Sequence, residues 1–407
     1  MDERGTDVRN GATVLSVLLF LTACGTTPNV VDLPTAQGVS GDRIVLGVVS
    51  DLSGPFKPQA TARTSGYELF FADRNAHGGV CGRQVELRIS DHGYDVDRAL
   101  AAYFELEPQV LGFIDITGAP MTAAIGPDLL QSRALAAPAS WSAALLGNPH
   151  MMVVGATYDI DVINGLEHLR GEGVLPDGGV IGHLYLPGDY GENALEGSRF
   201  VANQLGMSVS AQPVAKNVAE QIAALKAAKA QVVVLTATSA QTGQAVAAAR
   251  ALDWNVRFLV HVVGYDPTIA DDWTREHMVV VSSTAPFAAD VPGARAAAEQ
   301  FHSRYPDALP SGPVVDGYAV GLAFTAVLEK ACAAGDLTRE GVLHAFHDTN
   351  VADTLGITAP LRFSHAGRPS STQSFVSKPD ALVPGGLTVL RPLFESPLVR
   401  LKATKAK

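Results

Sequence analysis

Charged residues are scarce in this chain, since they make up 17% of its 407 residues and an average soluble chain has roughly one quarter. No run of about 18 apolar residues is present, which excludes a membrane channel or a membrane-spanning transporter subunit. Positive charge is in deficit, with 30 basic against 41 acidic residues, so no nucleic-acid partner is expected. The 47% of hydrophobic residues excludes intrinsic disorder, because burying them offsets the entropy lost on folding.

Catalytic signatures are missing as well. The phosphate loop G-x-x-x-x-G-K-[ST], the G-x-G-x-x-G turn, the G-x-S-x-G elbow, H-E-x-x-H and paired C-x-x-C are all absent. His344 and His347 are spaced i, i+3 on a predicted helix, which is more typical of a solvated pair than of two metal ligands. We therefore predict no cofactor, no metal and no enzymatic activity. An amidase or a metal hydrolase is the alternative, with Asp266 or His92 as the residue to test.

Residues 1–23 are predicted to be a targeting segment rather than part of the fold. Ala12 to Ala23 form a mostly apolar stretch of about a dozen residues, the length of the hydrophobic region of a signal peptide. It ends in Leu-Thr-Ala-Cys, which resembles a bacterial lipobox, in which the cysteine, here Cys24, carries lipid and begins the mature chain. A plain secretory signal is the alternative. Residues 24–41, rich in proline, threonine and glycine, are predicted to be a flexible tether.

Two cysteines remain beyond Cys24, namely Cys81 and Cys332. An even pair in an exported chain indicates one disulfide. Two free buried thiols are the alternative.

The chain alternates strand-like and helix-like segments. Arg43 to Ser50 (RIVLGVVS) is a continuous apolar run of the kind found in strands buried on both faces. The alternation restarts near residues 155–161 with a helix and a second set of strands. Such alternation predicts parallel sheets covered by helices on both sides. Two sheets of about five strands fit domain size better than one sheet of ten or more. The predicted fold is therefore α/β, with two doubly wound parallel-sheet lobes.

The ends of the predicted strands indicate where a ligand would bind. In open α/β sheets, the binding crevice lies beyond the carboxyl ends of the strands, where the strand order reverses. The first-lobe loops lead into helix N-termini, whose free N–H groups favour an anion such as a small carboxylate. Ordinary turn and cap residues are the alternative interpretation. The candidate ligand contacts are Ser53, Gln59, Gly118, Ala119, Ser140, Trp141, Ser142, Tyr190, Thr238, Ser239, Tyr265 and Asp266.

Several strings share their order and spacing with a known family. They are IVLGVVSDLSGPF (44–56), DRNAHGGVCGRQVEL (73–87), SDHGYD (90–95), PASWSAALLGNP (138–149), GDYGENALEGSRFVANQLGMSV (188–209), DGYAVGLAFTAVLEKA (316–331) and DLTREGVLHAF (336–346). Together they resemble the type I periplasmic solute-binding proteins of the branched-chain amino-acid-binding family, which serve ABC importers.

This resemblance implies two lobes joined by three hinge crossovers, here expected near residues 155–161, 282–286 and 355–360. Lobe one would comprise residues 42–156 and 285–356, and lobe two residues 157–284 and 357–400, with 401–407 as a tail. Cys81 and Cys332 would then share lobe one, which is compatible with a bridge.

The resemblance also implies roles for the strand-end loops. First-lobe loops of the family hold a ligand carboxylate, and here they match Ser53, Gly118-Ala119 and Ser140-Trp141-Ser142. The family's second-lobe aromatic residue matches Tyr190, which would pack on the ligand. Amino-acid binders use a second-lobe acid for the ammonium group, and Asp266 is the one acid in the matching stretch 262–266, a few positions out of register.

The resemblance thus implies an extracytoplasmic binding protein, lipid-anchored to the outer face of the cell membrane. Its ligand would be a small polar solute, such as an amino acid, an amide or a small carboxylate. Its partners would be the permease subunits of an ABC importer. The alternative is a ligand sensor of the same fold that signals to a membrane partner.

Overall fold

The computed structural model describes Met1, Gly5 and residues 37–405 of the chain. The predicted signal peptide, Cys24 and most of the predicted tether lie outside the described residues. The strands are β1 (Arg43–Ser50), β2 (Gln84–Asp91), β3 (Gly112–Ile116), β4 (Val180–Tyr185), β5 (Ser208–Pro213), β6 (Val232–Thr236), β7 (Arg257–His261), β8 (Met278–Ser282), β9 (Ser374–Pro379) and β10 (Leu387–Phe394). The helices are α1 (Lys57–Ala76), α2 (Val96–Leu106), α3 (Ala119–Ser132), α4 (Tyr158–Gly171), α5 (Asp189–Leu205), α6 (Val218–Ala227), α7 (Ser239–Ala251), α8 (Asp272–His277), α9 (Pro292–Arg304), α10 (Gly312–Ala333), α11 (Arg339–His347) and α12 (Pro397–Lys405).

The first sheet has the strand order β2-β1-β3, and all of its pairs are parallel. Isolated parallel bridges, Phe113 with Ala136 and Ala136 with Met151, continue it beyond β3. The strand order reverses at β1, which has β2 on one side and β3 on the other. The crevice between the carboxyl ends of β1 and β3 is therefore the expected position for a ligand.

The second sheet has the order β10-β9-β8-β7-β6-β4-β5. Its strands β4 to β8 are parallel, as predicted, and the order reverses at β4. Two antiparallel pairs, β8 with β9 and β9 with β10, differ from the predicted all-parallel sheet. They arise because the chain returns from the first sheet to β9 at the edge of β8 and then turns back as a hairpin. With seven strands, this sheet is larger than predicted.

The strands β3, β6 and β8 are wholly buried, and their apolar side chains belong to the hydrophobic cores of the molecule. Strand β5 was not predicted, because its sequence SVSAQP is polar and only half-buried at a sheet edge. Among the described residues, no helix is both long enough and apolar enough to cross a membrane.

Helices α1 and α10 cross at very close range on the first sheet. A Cβ on Gly66 of α1 would lie 2.2 Å from the carbonyl oxygen of Val314, and one on Gly317 of α10 would lie 2.2 Å from that of Arg63. Only glycine at both positions permits this approach, since any side chain atom there would overlap the facing backbone. The crossing places Arg63 beside the first turns of α10.

The segments between the two sheets indicate where the chain passes from one sheet to the other. The backbone N–H of Ala285 donates to the carbonyl of Ile357 at 2.8 Å, so these two segments run side by side. Phe363 packs in the core beside the first sheet, and its N–H donates to the carbonyl of Thr349 at 2.9 Å. The chain enters the second sheet only at Ser374. These contacts favour a third crossing near residues 364–373 rather than at the predicted 355–360.

Cys81 and Cys332 form a disulfide, with their Cα atoms 6.3 Å apart. The bridge ties the loop after α1 to the end of α10. It therefore fastens the two helices whose crossing holds Arg63.

Candidate ligand-binding cleft

A cavity of about 70 Å³ lies where the carboxyl ends of the two sheets face each other. The segments after β1 and β3 line one side of it, together with the start of α10. Residues that follow β4, β7 and β8 line the other side. Both points of strand-order reversal therefore open onto the same space.

On the side of the first sheet, Gly118 and Ala119 begin helix α3 at the edge of the cavity. Gly118 has φ +99°, and a Cβ there would lie 2.2 Å from the Cε atom of Met121. Glycine is therefore required at this turn, for its conformation and for space. The preceding Thr117 bonds through its hydroxyl to the carboxylate of Asp115 at 3.0 Å, one layer below the cavity.

Arg63 and Asp316 form a buried ion pair in the lining of the cavity. The Arg63 Nη2 atom lies 2.6 Å from Asp316 Oδ2, and both side chains are less than one-tenth exposed. The Arg63 guanidinium also lies over the indole ring of Trp141, with Cζ 4.8 Å from the ring centroid. The pair and the ring hold Arg63 in place, since a guanidinium is attracted to an aromatic face.

Burial around this ion pair shifts the pKa of the neighbouring acids. Loss of solvation raises the pKa of Asp316, although the adjacent Arg63 opposes the shift. The same loss of solvation raises the pKa of Asp115 to about 7, against the opposing effects of Arg63 and of hydrogen bonds from Thr117 and Ser50. This part of the site therefore disfavours additional negative charge.

Aromatic rings form the opposite wall. Tyr158 packs edge to face on Tyr190, with ring centroids 4.8 Å apart, and on His261 at 5.1 Å. Burial raises the pKa of the Tyr158 hydroxyl to about 12 and that of Tyr190 well above its usual range, so both are neutral donors. Rings with polar tips suit a solute that has an apolar body and a polar group.

His261 is oriented by a buried acid. Its Nε2 lies 3.3 Å from Asp161 Oδ2, and its Nδ1 accepts from the backbone N–H of Val263 at 3.4 Å. These partners assign the ring proton to Nε2, which donates to Asp161. Ser374 also donates to Asp161, at 2.5 Å. No group of three or more His, Cys, Asp or Glu side chains is placed to hold a metal ion anywhere in the described part of the chain.

The family model described as "Periplasmic binding protein" matches residues 43–377 of the chain. This chain belongs to the periplasmic binding proteins. It is thus a substrate-binding protein of the type that ABC transporters use, and the family implies a location outside the cytoplasm. Members of the family bind solutes rather than transform them.

Solved structures agree with this assignment. The fatty acid ABC transporter substrate-binding protein from Thermomonospora curvata has a TM-score of 0.87 and 32% sequence identity, covering 90% of this chain and 96% of that one. A branched-chain amino acid ABC transporter protein from Thermus thermophilus with bound valine has a TM-score of 0.77 at 18% identity, covering 91% and 100%. A leucine-binding protein from Thermotoga maritima has a TM-score of 0.72 at 16% identity, covering 86% and 99%. A comparison with curated proteins finds no match.

The binding protein brings five of the candidate ligand contacts to the cavity. They lie on α1, at the start of α3, on the loop after residue 137 and on α5; they are Gln59, Gly118, Ala119, Trp141 and Tyr190. Ser140 and Ser142 are buried on either side of Trp141 but are not in the lining, and Ser142 caps the following turn.

The other candidates do not line the cavity in this binding protein. Ser53 is exposed and donates to Asp91 at 2.6 Å. Thr238 caps helix α7, and Ser239 accepts a hydrogen bond from Gln59. Tyr265 donates to the carbonyl of Gly386 at 2.5 Å, and Asp266 caps the turn at Thr268. Thr238 and Asp266 thus make local capping contacts, whereas Ser53, Ser239 and Tyr265 bond to residues distant in the sequence.

Sequence reasoning missed the charged residues of the cleft. His261 ends strand β7, but the sequence predicts this strand to continue to Val263, so the strand-end rule is applied two residues too far along the chain. Arg63, Asp161 and Asp316 lie on helices, where no strand-end signal exists. The helical spacing of residues 64–75 predicts a first helix that begins at Thr64, whereas α1 begins at Lys57 with proline in its first turn and so includes both Gln59 and Arg63.

Proposed function

We propose that this chain is a lipid-anchored, extracytoplasmic binding protein that captures a small polar solute between two lobes and delivers it to an ABC importer. The observation that carries the proposal is the single cavity lined from the carboxyl ends of both sheets. A solute bound there touches both sides, and only such two-sided contact shifts a hinged protein towards its closed form.

Hydrogen bonds between the two sides support a hinged closure. Gln59 Nε2 on α1 donates to Ser239 Oγ on α7 at 3.1 Å. The backbone N–H of Ala143 donates to Asn193 Oδ1 on α5 at 3.1 Å. Both bonds join a segment beside the first sheet to a helix of the second, so they exist only when the two sides meet.

Calorimetry combined with small-angle scattering tests solute capture. We expect at least one member of a panel of amino acids, amides and small carboxylates to bind with a stoichiometry of one. The same solute should reduce the radius of gyration. If no solute of the panel bound and none reduced the radius, the proposed capture between lobes would be contradicted.

The lipid anchor is tested on the full chain expressed in a bacterium. We expect the mature protein to begin at Cys24, to carry the mass of a lipid and to sediment with membranes. Cys24→Ala should leave the protein unlipidated and unprocessed at that position. Recovery of an unmodified mature protein from the soluble exported fraction would instead support the plain secretory signal.

A further inference from the structure

The size of the cavity limits its occupant. Its volume is about 70 Å³. One water molecule needs on the order of 10–15 Å³, so a space of this size holds several small groups. This is the size of a compact solute with few non-hydrogen atoms, not of a long acyl chain.

The cavity offers hydrogen-bond acceptors that nothing in the described chain satisfies. Asp316 Oδ2 is paired with Arg63, but Asp316 Oδ1 has no hydrogen-bond partner among the described residues. Gln59 donates through Nε2 to Ser239, while its Oε1 is likewise buried without a partner. Both side chains belong to the lining. Buried acceptors without a donor cost free energy, so a ligand that supplies donors gains from satisfying them.

Positive charge in the lining is already neutralised. Arg63 is the only Lys or Arg among the described residues that line the cavity, and Asp316 is its ion-pair partner. The second acid of the lining, Asp161, is paired with His261. Asp115 lies just below, fully buried, and its raised pKa shows that this region disfavours added negative charge. A carboxylate would therefore enter a site with no unpaired cation.

Building on the proposed function, we propose that the cleft selects a compact solute that carries an N–H donor and no carboxylate. Asp316 Oδ1 and Gln59 Oε1 accept the N–H groups, and the aromatic wall around Tyr158 packs on the apolar body. Asp316 thereby acts as the specificity determinant that excludes carboxylates. The donor is either a neutral amide or an ammonium group, because both present N–H to an acceptor.

Isosteric probes on the unaltered protein test this selectivity by calorimetry. Isobutyramide and isobutyrate have the same shape and differ in charge. Isobutylamine carries an ammonium group alone, and valine carries an ammonium group together with a carboxylate. We expect isobutyramide or isobutylamine to bind at least about tenfold more tightly than isobutyrate, and palmitate not to enter the cleft. The inference is overturned if isobutyrate binds as tightly as isobutyramide and isobutylamine. It is also overturned if neither isobutyramide nor isobutylamine binds, or if palmitate competes for the cleft.

Substitution of Asp316 tests its role separately. Asp316→Asn removes the negative charge and frees Arg63 to pair with a ligand carboxylate. We expect isobutyrate to gain about tenfold in affinity and isobutylamine to lose about tenfold, so that the ranking of the probes reverses. The matched control is Asp177→Asn, which breaks an exposed Arg170–Asp177 pair at 3.2 Å and should leave the ranking unchanged. An unchanged ranking in folded Asp316→Asn overturns the role of Asp316.

The probe ranking on the unaltered protein decides the selectivity even if Asp316→Asn does not fold. Failure of the selectivity proposal can also be distinguished from failure of the proposed function. Binding of a carboxylate with compaction would retain solute capture and overturn only the selectivity. Absence of both binding and compaction for every solute would overturn both.

Discussion

At the residue scale, Ser239 reports on closure of the cleft without lining the cavity itself. Its hydroxyl accepts a hydrogen bond from Gln59 across the cleft at 3.1 Å. We expect Ser239→Ala to weaken solute affinity two- to tenfold, because one hydrogen bond of the closed form contributes about 0.5–1.5 kcal/mol. The melting temperature of the solute-free protein should change little. Titration calorimetry measures the affinity, and exposed Ser303→Ala is the matched control. Equal affinities for all three proteins would contradict this prediction.

Asp115 makes the stability of the protein depend on pH in a defined direction. Burial raises the pKa of this carboxyl to about 7, whereas in an unfolded chain the pKa is about 3.9. Between about pH 4 and pH 7 the folded state therefore holds a proton that the unfolded state has lost, and stability falls as the pH rises through this window. In Asp115→Asn, the free energy of unfolding should fall less between about pH 5 and pH 7.5.

Urea unfolding at the two pH values measures this difference. Asp177→Asn, which changes an exposed acid, serves as the control and should behave like the unaltered protein. An identical fall in Asp115→Asn and in the unaltered protein would show that Asp115 is ionised throughout the window.

At the scale of elements, the crossing of α1 and α10 determines the position of Arg63. Gly317→Ala would place a Cβ 2.2 Å from the Arg63 carbonyl oxygen, so the helices must separate. We expect a loss of about 1–3 kcal/mol in the free energy of unfolding, measured in urea, together with weaker solute binding. Gly171→Ala, at the end of α4, has no atom within 4 Å of its added Cβ and should leave both unchanged. If Gly317→Ala changed neither the free energy of unfolding nor solute binding, the helices would not be in tight contact.

The same elements show what the sequence could predict. Runs such as RIVLGVVS in β1 carry a local signal, because a strand buried on both faces must be apolar throughout. The strand-end loops at Gly118 and Tyr190 could be predicted for a related reason, since the crevice of an open α/β sheet lies beyond the carboxyl ends of its strands. The antiparallel β9 and β10 carry no such signal, because their place at the edge of β8 is set by the return of the chain.

The charged part of the site could not be predicted by these rules. Arg63 and Asp316 are far apart in sequence and meet only because two glycines allow α1 and α10 to approach. Asp266 is polar and near a strand end, yet its carboxylate is used locally to cap the turn at Thr268. A capping acid and a ligand-binding acid look the same in a sequence, and only packing distinguishes them.

At the scale of the whole molecule, the Cys81–Cys332 disulfide closes a loop with a sequence separation of 251 residues. Long loops lose much conformational entropy in the unfolded state when they are closed. We expect Cys332→Ser to lower the free energy of unfolding by about 2–5 kcal/mol, as measured in urea. Adding a reductant should lower the stability of the unaltered protein to that of the variant. No effect of reductant on the unaltered protein would contradict a stabilising bridge.

The second sheet is assembled from distant parts of the chain, and this imposes an order on its biogenesis. Strand β8 ends at Ser282, whereas its neighbour β9 begins only at Ser374. Synthesis proceeds from the N-terminus. The valine-rich edge of β8 therefore remains unpaired until the segment between Ser282 and Ser374 has been synthesised. An emerging polypeptide that stops short of Ser374 presents that edge to other chains. The edge of β8 is therefore covered only after residues 374–379 have been synthesised.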